Sequence, residues 1–292
     1  MHPGVSRSTT SSRPREVNQT TADVVLGIDA AWTAHQPSGV ALVQRKGSHW
    51  QCTALAPSYD SFLAFAYGQP QDPATKARGS EPDPEALLQA SKQLTGKPVS
   101  CVSVDMPLAT TPITGRRAAD NAVSSRFGTR GCTVHSPSAQ RPGAIADRLR
   151  GNLATLGCSL HTTSANRDLP ALIEVYPDVA LLALLGRDYR VPYKVSRSLQ
   201  YWKSEQLSPA ERITRLLQEF RAIRAGLDQH IAAIPLMIPE ASEVKTLASL
   251  KPIEDILDAL VCAWMGIEHL QGRSSGLGDS DAAIWVPTSL LA

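Results

Sequence analysis

The chain has 292 residues, a net charge of +2, 42% hydrophobic residues and 19% charged ones. This excludes a wholly disordered chain, and the length fits one domain with a large insertion or two small domains. A charge so close to zero gives no argument for a nucleic-acid partner by itself.

Residues 1–22 are rich in Ser, Thr and Arg and poor in apolar side chains, so they read as a disordered tail without the apolar core of a signal peptide. Residues 24–31 (VVLGIDAA) form an apolar, β-branched run, predicted to be a strand buried on both faces and carrying Asp29 at its end. Turn residues at 37–39 and 46–48 separate two further strands, 40–44 and 50–55, and the three make an antiparallel meander. Helices are predicted over 59–67 and 85–94, on either side of a Pro/Gly-rich stretch at 69–82. The next strand, 99–104 (VSCVSV), is closed by Asp105. A right-handed crossover sets this strand beside the first, so that Asp29 and Asp105 end neighbouring parallel strands at one edge.

Residues 106–168 are rich in Gly, Pro, Ser, Thr and Arg, with short helices expected at 117–125 and 144–156, and read as an insertion. Between Met106 and Arg150, seven Arg face only Asp120 and Asp147, a local +5 that leaves −3 for the rest of the chain. Such a segment beside an acidic centre suits a polyanionic substrate, and it equally suits a solvated, Arg-rich loop. A strand at 169–175 carries Glu174, and helices follow at 178–185, 208–225 and 252–270. Residues 276–292 read as a C-terminal extension to a domain spanning 23–275. The expected fold is α/β. Its mixed sheet is RNase H-like, an antiparallel three-strand meander plus parallel strands flanked by helices, with the insertion after the fourth strand.

Asp29, Asp105 and Glu174 thus sit at C-terminal strand ends, where open α/β sheets bind ligands. Asp255 and Asp258 share one face of the last helix, and Asp258 lies near its apolar stripe. A carboxylate there is costly to bury unless paired or bound to metal. Like charges gathered in this way are relieved by Mg²⁺ or Mn²⁺, which prefer oxygen ligands. Two such ions can hydrolyse a phosphodiester. Singly, each acid is more simply a cap, a turn residue or a solvated charge. Arg117 and Asp120, i and i+3 on a predicted helix, make either a structural ion pair or a phosphate contact that Asp120 orients. Cys132-x2-His135 and Cys158-x2-His161 supply four zinc-ligand types, although their spacing matches no established zinc motif. Trp32, just after Asp29, either lines the site or belongs to the core.

The motifs GIDAAW (27–32), SVDMPL (103–108), GRRAAD (115–120), IEVYP (173–177) and DILDALVCAW (255–264) resemble a bacterial and archaeal family of predicted nucleases with an RNase H-like fold. The resemblance runs from about Val24 to Leu270. DILDALVCA also resembles the last helix of Holliday-junction resolvases. That likeness implies Asp29 and Asp258 as metal ligands, with Asp105 the second-strand acid and Asp255 a neighbour. Glu174 fits the family motif but has no clear resolvase counterpart; it either binds metal or orients Arg116 or Arg117. Ala30-Ala31-Trp32 provides no glycine-rich phosphate loop, which argues against the ATP-binding relatives of this fold.

The function these features favour is a metal-dependent nuclease. Asp29, Asp105 and Asp258 would hold the ions, with Asp255 and Glu174 as supporting ligands, and Arg116, Arg117 and Asp120 would position DNA or RNA. The alternatives are a non-catalytic nucleic-acid-binding or scaffold domain and a metal-dependent enzyme acting on a small phosphorylated molecule. Five cysteines, an odd number with two inside apolar runs, point to free thiols and a cytoplasmic setting. No apolar run approaches a membrane span.

Overall fold

The computed structural model describes Met1 and residues 23–70 and 76–292. The tail expected over residues 1–22 therefore lies, except for Met1, outside the described residues. Strands β1 (Val24–Asp29), β2 (Gly39–Lys46) and β3 (His49–Ala56) form the antiparallel meander. Helices α1 (Tyr59–Ala66) and α2 (Pro84–Thr95) follow, and then β4 (Cys101–Val104). Asp83 caps α2 by accepting from the Ala86 amide at 3.1 Å, and Gly96 ends it in the left-handed region at φ 70°. The crossover sets β4 parallel to β1, with Ile28 opposite Val104, as the order of elements predicts.

The predicted insertion supplies α3 (Ala118–Phe127), α4 (Ala144–Thr155) and the short β5 (Ser159–Leu160). The chain continues through β6 (Ala171–Val175), α5 (Pro177–Leu184), α6 (Ser198–Tyr201), α7 (Pro209–Asp228), β7 (Ile231–Ala232), α8 (Lys251–Leu270), β8 (Ser274–Gly278) and β9 (Ala283–Pro287). The strands form one mixed sheet in the order β7-β3-β2-β1-β4-β6-β9-β8, with β5 pairing β6 beside this path.

Period-two alternation sends successive side chains of β1 to opposite faces. Leu26 and Ile28 enter a core built with Phe62, Leu87, Val123 and Leu149 of α1 to α4. Val25 enters the other core, with Leu217 and Phe220 of α7 and Leu257 and Leu260 of α8. The molecule is thus three-layered, with the sheet between two sets of helices.

The end of the chain departs from expectation. Residues 276–292 are not an extension: β9 pairs in parallel with β6, and β8 pairs antiparallel with β9. All five residues of β9 (AIWVP) are buried. The physical reason is that Glu174 and Val175 of β6 need a ladder partner on the side away from β4, and β9 provides it.

Candidate active site

Helix α8 lies unusually close to the sheet because glycines leave room for it. A Cβ on Gly27 of β1 would stand 2.3 Å from the Ala259 carbonyl oxygen and 2.5 Å from the Ala263 nitrogen. A Cβ on Gly39, which pairs with Asp29 in the ladder, would stand 2.2 Å from the Asp255 oxygen. The Ser103 hydroxyl donates to the Cys262 carbonyl and ties β4 to the same helix. This contact brings Asp255 and Asp258 over the ends of β1 and β4, where Asp29 and Asp105 emerge.

The gathered carboxylates do not share one condition. Asp258 is fully buried, and both of its oxygens are engaged: Tyr193 Oη donates to Oδ1 at 2.5 Å and Lys194 Nζ to Oδ2 at 2.5 Å. Lys251 pairs with Asp255 and, at 2.9 Å, with Glu254. The Val195 amide donates to Glu254 at 2.6 Å, so residues 193–195 are fastened to α8 at three points. Asp29 and Asp105 are cross-strand neighbours, partly exposed, and their carboxyls have no hydrogen bond or ion pair among the described residues.

The electrostatics follow from this arrangement. Burial holds Asp29 well above the usual carboxylate range, Asp258, Asp255 and Asp105 add to the rise, and Lys194 opposes it. Burial lifts Asp105 to about 8 despite Lys194, with Asp258 reinforcing the shift. Burial lifts Asp255 to about 6 against the pull of Lys251. Both shifts run toward the protonated form of the carboxyl.

Glu174, which lines the same depression as Asp105, is joined with Arg117 and Asp120 in a closed network. Arg117 donates to both oxygens of Glu174 at 2.6 and 2.7 Å, to Asp120 at 2.6 and 3.1 Å, and to the Leu108 carbonyl at 2.7 Å. The Leu108 amide completes Glu174 at 2.7 Å. Burial opposes the charge on Arg117, but Glu174 and Asp120 outweigh it and raise its pKa. Arg117 is 8% exposed and its guanidinium donors are in use, so Glu174 orients Arg117 and Arg117 locks α3 to β6. Arg116 is occupied too, bonding Asn121, Ser124, Ser136 and the carbonyls of Asp120 and Val134. Of the residues expected to position phosphate, none offers a free donor to the cleft.

The cleft consists of two adjoining depressions of about 290 and 490 Å³ that share Trp32, Asp105 and His135. Asp29 and Arg141 line one; Lys194, Arg197 and Asp178 line the other. Arg141 is exposed and Arg197 half-buried, neither has an ion pair among the described residues, and the Arg141 guanidinium lies 5.9 Å from the Trp32 ring centroid. Tyr193, Lys194, Glu254 and Arg197 escaped the sequence reading. The spacing of Lys251 to Glu254 and Asp255, i+3 and i+4, was a usable signal for Glu254. Tyr193 and Lys194 lie in an irregular stretch whose pattern carries none.

Among the described residues, no three His, Cys, Asp or Glu side chains close around a point as metal ligands would. The donor set still fits a hard ion in one place. Mg²⁺ and Mn²⁺ sites commonly use one or two carboxylates and leave the other positions to water and substrate phosphate, and Asp29 and Asp105 offer two carboxylates without a hydrogen bond or ion pair among the described residues. Asp258 does not fit as a third ligand in this arrangement, because Tyr193 and Lys194 occupy it. The possible zinc tetrad is not assembled. Cys132 and Cys158 are buried in the apolar core, His161 pairs with His269 at 2.8 Å, and His135 lies on the cleft wall beside Arg197.

A family model described as protein of unknown function (DUF429) matches residues 27–282. No curated protein and no solved structure matches the chain. Among the described residues no helix is long and apolar enough to cross a membrane.

Proposed function

The chain belongs to the DUF429 family, and we propose that it is a divalent-metal-dependent phosphodiesterase acting on nucleic acid, with an RNase H-like fold. The observation that carries this reading is the pair Asp29 and Asp105, whose carboxyls have no hydrogen bond or ion pair among the described residues. Two neighbouring carboxyls, raised by burial and by the charge of Asp258, lie in an open cleft at the strand ends. A divalent ion matches their combined charge. Bound there, Mg²⁺ or Mn²⁺ would supply positive charge for the non-bridging oxygens of a phosphodiester. The strand order, an antiparallel meander followed by parallel strands, supports the fold assignment.

The chain's own residues account for the rest of the recognition. Arg141 and Arg197, on opposite sides of the shared wall, bind flanking phosphates. His135, 3.4 Å from Arg197, is carried on the same rim. Trp32 offers a ring face beside the acids on which a base stacks. Asp255, Glu254 and Lys251 hold the first turns of α8 in place and stay out of the chemistry. Five buried thiols without a disulfide suit a reducing, cytoplasmic setting.

The test is cleavage of labelled single-stranded, duplex and branched DNA and RNA in Mn²⁺, by the wild type and by Asp29→Asn. Mn²⁺-dependent cleavage that the substitution abolishes is the expected result. Binding should weaken with salt, and Arg197→Gln should lower the slope of log K against log salt by about one. Absence of cleavage from every substrate, with turnover of a mononucleotide instead, would move the activity to small phosphorylated molecules. Salt-dependent binding without turnover of either would leave a binding module.

A further inference from the structure

Taking that metal site as the premise, we propose that Lys194 is the site's second cation: one divalent ion sits between Asp29 and Asp105, and the Lys194 ammonium stands where a two-ion phosphodiesterase would hold its other ion. Two-ion centres place a pair of cations about 3.5–4 Å apart to bracket a phosphoryl group. Here one of those positions is filled by the protein itself.

Asp258 projects from α8 into the acid cluster and is fully buried, yet it has no capacity left for an ion. Tyr193 Oη and Lys194 Nζ each approach one of its oxygens at 2.5 Å. Tyr193 is fully buried and Val195 is bonded to Glu254, so the Lys194 backbone is pinned on both sides. A carboxylate so deep, with a phenol and an ammonium aimed at it, is a holder for that ammonium.

Lys194 is also placed to face a substrate. Its side chain is 19% exposed and lines the same depression as Asp105. Its amine has three donors, and the bond to Asp258 uses one of them. Glu254, at 3.9 Å, is beyond hydrogen-bond reach. Two N–H groups therefore remain for phosphate oxygens. Asp178, which lines the same wall, is held by Arg190 at 2.6 Å through its Oδ2.

The experiment counts ions, not turnover. Mn²⁺ is titrated calorimetrically into the full chain and into Asp29→Asn, Asp258→Asn and Lys194→Gln, each checked for folding by circular dichroism. The wild type should take up one ion, and Asp29→Asn should weaken it at least about tenfold, equivalent to about 1.4 kcal/mol. Asp258→Asn should keep the ion within a few-fold, because Asp258 holds Lys194 and not the metal. Lys194→Gln should admit a second ion at the freed Asp258. Two ions in the wild type, or loss of the ion in Asp258→Asn, overturns the role of Lys194 and leaves the metal site standing. A single ion in folded Lys194→Gln also overturns it. No ion in the wild type overturns both. If Lys194→Gln does not fold, Asp258→Asn alone decides.

Discussion

Arg117 and Lys194 are both cations drawn into the protein by carboxylates, on elements that meet at neighbouring strands, and their surroundings differ. Around Arg117, the guanidinium donors, both Glu174 oxygens and both Asp120 oxygens have protein partners. Around Lys194, one carboxylate is satisfied, while Asp29 and Asp105 are left without hydrogen bonds among the described residues. Both groups contain acids from strand ends and both carry motifs of the same resemblance. What separates them is closure. A polar network that completes itself fixes a fold, whereas one that stays incomplete at a cleft holds free energy for a ligand.

That contrast can be broken most forcefully at Arg117. Arg117→Met leaves Glu174 and Asp120 buried without a counter-charge and should cost about 3–5 kcal/mol in urea unfolding. If the loss is below about 1 kcal/mol, the network is not the structural lock described. Next in size is Gly27→Ala. The new methyl meets helix backbone on α8, so the helix must move, at about 1–3 kcal/mol of stability. Mn²⁺ affinity should fall with it, and unchanged affinity in a folded variant would show that the helix-to-sheet distance does not set the site.

Asp105→Asn acts in the opposite direction. A carboxyl raised to about 8 takes up a proton on folding between its unfolded value, near 4, and about 8, so stability falls as pH rises through that window. Removing the charge should stabilise the metal-free protein by about 1–2 kcal/mol at pH 8 and by almost nothing at pH 4. Thermal melts at the two pH values measure this, and equal effects at both would remove the electrostatic explanation. The smallest effect lies away from both networks. Burial lowers His161, and burial together with His161 lowers His269 to about 3. Both shifts favour the neutral ring, and the contribution of His269 is intact above pH 6.5 and is lost as pH falls toward 3. His269→Gln should flatten the acid limb of the stability curve by about 1 kcal/mol.

Much of the sheet was legible because alternating and continuous apolar runs state their period directly. The meander, the crossover to β4 and the strand-end positions of Asp29, Asp105 and Glu174 all follow from residues 24–56, 99–105 and 169–175. Helix α7 was legible from its capping box, Ser208 with Glu211. The grouping of the acids was not legible, because it depends on distance between elements. Glu174 and Asp105 look equivalent in sequence, and only the arrival of Arg117 from the start of α3 assigns one to structure. Lys194 gave no sign, since its role arises where an irregular segment crosses α8. The strand β9 was overlooked although its AIWVP run is apolar, because it follows the long final helix and pairs with β6, more than a hundred residues earlier in the chain.

That last pairing has a consequence for how the protein is made. The outer edge of β6 is covered in two parts, β5 over Ala171 and Leu172 and β9 over Glu174 and Val175. During synthesis the first cover emerges before β6 and the second long after it. The end of β6 that carries Glu174 therefore waits with an open hydrogen-bonding edge while α5 to α8 are translated. A chain cut short before Ala283 would keep most of its sheet with this edge open, a template for pairing with another copy, so β9 also guards against aggregation.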